Sequence, residues 1–261
     1  MNIKAYRVKP NPTKFDLAQF DADDQSLVNG DKEAAKAVLA GLRQRLESLQ
    51  SLFYANGAHK LLIVLQAMDT AGKDSTIRMV FDGVNPQGVR IANFKAPTAE
   101  ELAHDFLWRI HSHAPAKGTI RIFNRSQYED VLITRVHGWC DDETAVKRMK
   151  AINDFEELLL KHNNTQVLKF YLHISQEEQQ QRLQQRTHEL RKMWKYNEKD
   201  FEEARLWKKY MSYYEDCFNT CNKVPWHIIP SDQNWYKEYL IASVVYDTLK
   251  KLKMQYPGLK K

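Results

Sequence analysis

Apolar residues follow two rhythms along this 261-residue chain, and their alternation sets the fold class. Five short segments are rich in aliphatic residues: Leu61-Leu62-Ile63-Val64-Leu65, Gly88-Val89-Arg90-Ile91-Ala92, Gly118-Thr119-Ile120-Arg121-Ile122-Phe123, residues 166–174, and Trp226-His227-Ile228-Ile229-Pro230. The first has no polar residue at all, which suits a strand covered on both faces. Between them the spacing becomes helical. Val38, Leu42, Leu46, Leu49 and Phe53 line one face of a helix over residues 31–53. Further helices are expected over residues 75–82, 98–111 (behind the capping box Thr98-Ala99-Glu100-Glu101), 143–162, from 176 onward, and 233–252. Residues 1–30, with the turn formers Lys9-Pro10-Asn11-Pro12 and Asn29-Gly30-Asp31, read as an irregular arm.

Strands alternating with helices predict an α/β fold, a parallel five-stranded sheet covered by helices on both sides. One domain over residues 1–261 is expected, with no internal repeat or low-complexity linker. Ligands of such sheets bind at the carboxyl ends of the strands. Residues 69–73, 93–98 and 124–130 therefore belong on one rim.

Composition narrows the classes. Hydrophobic residues at 43% beside 28% charged ones give a soluble globular profile. No apolar run approaches the roughly 18 residues needed to span a bilayer. The stretch Met1-Asn2-Ile3-Lys4-Ala5-Tyr6-Arg7 lacks the apolar core of a secretory signal. Three cysteines make no disulfide framework, so a cytoplasmic location is expected. Cys217 and Cys221 share a helix face but have no second pair at zinc-like spacing, so they read as buried helix cysteines. His111 and His113 read as surface residues near a helix end. Net charge is +6, without a long Lys/Arg block. A small polyanion accounts for that surplus as well as nucleic acid does.

The chemistry concentrates in Gln66-Ala67-Met68-Asp69-Thr70-Ala71-Gly72-Lys73-Asp74-Ser75-Thr76. A turn at Gly72 before a helix N-terminus lets backbone N–H groups converge on an anion, and Lys73 adds a point charge. The match to the Walker A phosphate-loop (P-loop) pattern is incomplete. Ala67 stands where that pattern has glycine, and Asp74 where it has Ser or Thr. Asp69 puts a carboxylate in an anion loop, which makes sense if it holds magnesium or accepts a proton. The bland alternative is a strand, a turn and a solvated aspartate.

Two further segments bear on the same rim. In Phe123-Asn124-Arg125-Ser126-Gln127-Tyr128-Glu129-Asp130, Arg125 suits a bidentate phosphate clamp, and Glu129 and Asp130 suit a cation or a nucleotide group. Internal charge pairing is the competing reading. In residues 181–195, Arg182 and Arg186 share a helix face just after the fourth strand, where phosphoryl-transfer enzymes place a mobile basic lid. A solvated basic helix is the alternative there.

These motifs, with Asn85-Pro86-Gln87-Gly88-Val89, Phe94-Lys95-Ala96-Pro97-Thr98 and Asp105-Phe106-Leu107-Trp108-Arg109, closely resemble the polyphosphate kinase 2 family. The resemblance runs from Phe15 to Trp235, and Asn124-Arg125-Ser126 with Glu129 looks like its class III members. It implies a three-layer sandwich similar to thymidylate kinase, with a lid at about 180–205. It also implies a Mg2+-dependent (or Mn2+-dependent) transfer of phosphate from inorganic polyphosphate to AMP or ADP. By resemblance, Asp69, Lys73, Arg125 and Glu129 are catalytic, with Asp69 and Glu129 toward the metal. Ala71, Gly72, Lys73, Asp74, Ser75, Arg125, Arg182 and Arg186 would hold polyphosphate. Lys95, Glu129 and Asp130 would face the adenine or guanine nucleotide. Family members are usually dimers or tetramers, so a homo-oligomer is expected, with no nucleic-acid or membrane partner. A nucleoside monophosphate kinase with a triphosphate donor, or a non-catalytic sensor, are the alternatives.

Overall fold

The computed structural model describes residues 3–9 and 14–259. The turn formers Pro10 to Pro12, and Met1 and Asn2, lie outside them. The helix predicted from residue 31 is α1, Lys32–Asn56. Asp31 caps it by accepting from the Ala34 N–H, and Gly57 ends it at φ 65°. Its buried stripe runs through Ala35, Leu39, Leu42, Leu46, Gln50 and Phe53. Val38, expected on that stripe, is 49% exposed because it sits on the flank of the 3–4 repeat that Ala35 and Leu39 begin.

Five strands follow: β1 Lys60–Ala67, β2 Val89–Asn93, β3 Ile120–Asn124, β4 Thr165–His173 and β5 Trp226–Pro230. They form one sheet in the order β2-β3-β1-β4-β5, and every pairing is parallel. Every residue of β1 is buried, as its central place between β3 and β4 requires. β2 lies at an edge, and Arg90 and Ile91 are exposed there.

The helices complete two outer layers. α11 (Asn234–Lys251) packs against both α1 and α2 (Lys73–Val80), while α6 (Asp142–His162) packs on β4 beside α10 (Trp207–Thr220) and α10 on α5 (Ile133–Val136). The helix expected over 98–111 is interrupted. Single turns α3 (Ala99–Leu102) and α4 (Trp108–His111) flank a bend in which Asp105 accepts from the Leu107 N–H. The predicted capping box is present at α3. After β4 come α7 (Gln176–His188), the single turn α8 (Leu190–Met193) and α9 (Glu198–Arg205). Cys217 and Cys221 are buried and free, near the end of α10. Among the described residues, no helix is long and apolar enough to cross a membrane.

The arm lies along β5. Val8 donates to the Trp226 carbonyl, Ser231 to that of Ala22, and the Tyr6 hydroxyl meets that of Tyr236 at 2.6 Å. The chain leaves β1 toward β2 and leaves β4 toward β5, so connections diverge between β1 and β4. A crevice between carboxyl ends is expected at such a point, and it is where the loop after β1 meets α7.

Candidate active site

The loop between β1 and α2 is turned outward by its own carbonyls. Thr70 and Gly72 both take positive φ, at 67° and 93°. The Ala67 and Met68 carbonyls accept from Lys73 Nζ at 2.9 and 3.3 Å. That of Asp69 accepts from Gln179 Nε2 at 3.3 Å, that of Thr70 from Arg182 at 3.1 Å, and that of Ala71 from Lys237 Nζ at 2.8 Å. Five successive carbonyls thus each find a side-chain donor. Gly72 then caps α2 with no side chain of its own, leaving the first turn open to an anion.

The neighbouring rim is tied to this loop. Arg125, at the end of β3, donates to Asp69 Oδ1 at 2.8 Å. It holds a left-handed backbone at φ 63°, uncommon for a side chain of this size, with its N–H fixed on the Leu65 carbonyl of β1. Asn124 donates to Asp74 at 2.7 Å and to Asn93 at 2.9 Å, joining the ends of β3, α2 and β2. The Lys95 carbonyl accepts from Arg109 at 2.9 Å, which fixes the loop after β2.

These residues open on a cleft of about 990 Å³. Nine basic side chains line it against two acidic ones, Asp69 and Asp74, so it suits a polyanion. Burial pushes the Asp69 carboxyl up, but the charges of Lys73 and Arg125 outweigh it and hold Asp69 below its ordinary value. Burial works against the Arg125 guanidinium, but Glu129 and Asp69 hold it firmly protonated. Burial raises the Glu129 carboxyl, and Arg125 and Lys73 only partly offset this. Burial and Arg125 both lower the Lys73 ammonium, against Asp69 and Glu129.

Most of the expected site residues meet in this cleft. Asp69, Gly72, Lys73, Asp74, Ser75, Lys95, Arg125, Arg182 and Arg186 all line it. Ala71 is fully buried beneath the loop and contributes backbone only. Glu129 lies behind Arg125 and Lys73 rather than in the lining. Asp130 turns away. Its carboxylate lies 3.8 Å from Arg109, and its carbonyl accepts from Arg148 and Thr134. Arg182 is occupied, donating to Glu178, Thr70, Ser231 and Asp232. Arg186 pairs with Asp200 of α9 and so couples α7 to the helices beyond it.

Sequence reasoning did not pick out Gln179, Asn234 or Lys237. Gln179 lies three residues before Arg182, on the same face of α7, and that spacing is a usable signal. Asn234 and Lys237 lie on α11, more than 160 residues from the loop they support. The local sign is a lysine among the mostly apolar buried residues of that helix.

A family model described as Polyphosphate kinase 2 matches residues 29–257. The chain belongs to the polyphosphate kinase 2 family. The match to this family begins at the end of the arm and continues through α11, so it starts later and ends later than the span of the motifs. An "AMP/ADP-polyphosphate phosphotransferase" of Meiothermus ruber is 49% identical over 98% of this chain and 96% of its own. An "ADP-polyphosphate phosphotransferase" of Rhodopseudomonas palustris is 40% identical over 87% of this chain and 83% of its own. The crystal structure of Polyphosphate Kinase 2 from Arthrobacter aurescens TC1 superposes with a TM-score of 0.94 at 40% identity, covering 99% of this chain and 92% of that one. The α/β architecture and the polyphosphate kinase 2 resemblance read from the sequence are both borne out.

Proposed function

We propose that the chain transfers the terminal phosphate of inorganic polyphosphate to AMP and ADP. The observation that carries this reading is the Asp69–Arg125 pair set beside Lys73 at the mouth of the outward-turned loop. Binding alone would not call for an ionised carboxylate among so many cations. The activities named for the relatives supply the donor and the acceptors.

Phosphoryl transfer relies on alignment and charge neutralisation more than on base catalysis. In this reading Lys73 and the α2 N-terminus hold the donor phosphate, with Asp74 and Ser75 contributing backbone and hydroxyl. Arg125 clamps the transferred group, and Arg186 extends the hold along the chain. Lys95 faces the acceptor phosphate. Glu129 supports the acceptor side through Arg125, and Asp130 acts on it only through Arg109 and Arg148. Helices α7 to α9 form a lid module over the cleft.

Among the described residues, no group of three or more His, Cys, Asp or Glu stands ready to hold a metal. Magnesium in such sites is held by one or two carboxylates together with substrate phosphates. Asp69 fits that role: it lines the cleft, and its neighbours keep it ionised. Glu129 fits it less well, because burial favours its neutral form. Bound Mg2+, or Mn2+ in its place, would supply charge neutralisation on the phosphates. We further propose a cytoplasmic homo-oligomer, which light scattering would measure.

The test is donor choice. Purified protein with Mg2+ and AMP should form ADP and ATP when given polyphosphate. Turnover with a nucleoside triphosphate alone would favour a nucleoside monophosphate kinase, and no turnover with either donor would favour a sensor.

A further inference from the structure

We infer that Lys237 is a positioning residue for polyphosphate, orienting the Ala71–Gly72 peptide so that the Gly72 N–H faces the donor chain. The inference rests on the reading that this loop holds polyphosphate. Lys237 lies on α11, is fully buried, and donates to the Ala71 carbonyl at 2.8 Å and to Asn234 Oδ1 at 2.7 Å. No described carboxylate lies within ion-pair distance of its ammonium. A buried cation with that environment is costly unless something nearby returns the energy.

The geometry shows what that is. No peptide bond among the described residues is cis, so the Gly72 N–H points opposite to the Ala71 C=O. The carbonyl is fixed on Lys237, behind the loop, while Gly72 itself lines the cleft. The N–H is therefore directed away from Lys237 and toward the space an anion would fill. The contact is close, since a Cβ added at Gly72 would collide with Lys237 Nζ. Lys237 thus fixes the direction of a donor and adds positive charge behind it, without touching the ligand.

The charged groups around Lys237 come from three helices: Lys73 on α2, Glu178 and Arg182 on α7, and its neighbour Glu238 on α11. Burial, with Arg182 and Lys73, pushes its ammonium down to about 7, and Glu238 and Glu178 only partly offset this. Its charge is therefore lost as pH rises through about 7.

The test compares Lys237→Gln with the parent protein, measuring the Kd of a defined-length polyphosphate and of AMP by calorimetry. Lys237→Gln should bind polyphosphate about tenfold more weakly at pH 6.5, with AMP affinity within twofold. The gap should narrow at pH 8.5, where the parent has lost the charge too. Equal polyphosphate affinity at both pH values, or equal losses for AMP and polyphosphate, would overturn the inference and leave the proposed function standing. No polyphosphate binding by the parent would overturn both. Should the variant not fold, NMR on the parent decides: the Gly72 amide should shift on saturation with tripolyphosphate. An unmoved Gly72 amide while other loop amides shift would overturn the inference.

Discussion

Arg125 donates to Asp69 at 2.8 Å, so the loops after two adjacent parallel strands are locked together by one charge-assisted hydrogen bond. Both partners line the cleft, where Lys73 joins Arg125 in acting on Asp69, and Glu129 joins Asp69 in acting on Arg125. Asp69 stays ionised against burial, and Arg125 stays protonated. Replacing Asp69 with Asn keeps an acceptor for Arg125 and removes only the charge. We expect kcat to fall by about 10²–10³-fold, a loss typical of one removed electrostatic group, with the thermal midpoint little changed. Steady-state kinetics beside a melting curve checks both; a fully active variant would remove Asp69 from the mechanism.

Gly72 meets two demands at once, a backbone at φ 93° and a surface free of any Cβ beside Lys237 and Ser75. Gly72→Ala should therefore destabilise the protein by about 1–3 kcal/mol, the range for a strained backbone position, and should weaken polyphosphate binding. Denaturant titration gives the first quantity and calorimetry the second.

Arg182 and Arg186 look alike in sequence and should differ in kind. Arg182→Ala leaves the Thr70, Ser231 and Asp232 carbonyls without their donor, costing about 1–3 kcal/mol of stability. Arg186→Ala mainly uncouples α7 from Asp200 of α9. It should raise the KM for polyphosphate with a smaller loss of stability. Parallel melting and kinetic measurements on the two variants separate the roles, and an equal stability loss would contradict the assignment.

Asp130 predicts a pH dependence. Burial pushes its carboxyl up to about 6, with Arg109 and Arg148 only partly offsetting it. A carboxyl raised in the folded state binds protons more tightly there than in the unfolded chain, so its contribution to stability falls as pH rises from about 4 to about 6 and stays unfavourable above that. Asp130→Asn removes this penalty. We expect the variant to gain on the order of 1–2 kcal/mol relative to the parent at pH 8, with the gain vanishing near pH 4. Chemical denaturation at the two pH values reads it directly.

Much of this was legible in the chain. The unbroken apolar run of β1 marked a central strand, and Gly72-Lys73 after it marked the anion loop. Arg125 was legible because a polar, charged segment follows a buried strand on the same rim. Less legible were contacts that cross layers. Lys237 supports the loop from the last helix, and nothing within a dozen residues of either signals the other. The break between α3 and α4 was hidden because a good capping box announces a start and says nothing of an early end. Adjacency to Glu129 did not reveal the direction of Asp130: along the 3-10 segment from Gln127 to Val131 its carboxylate comes to lie 3.8 Å from Arg109.

Tracing one phosphate from donor to acceptor decides which compound supplies it. Polyphosphate labelled at its terminal phosphate is mixed with an excess of protein, Mg2+ and AMP, and one turnover is quenched. The label should appear in the β-phosphate of ADP, while labelled nucleoside triphosphate supplied in its place should transfer nothing. Label found only in orthophosphate, or transfer from the nucleoside triphosphate alone, would contradict it.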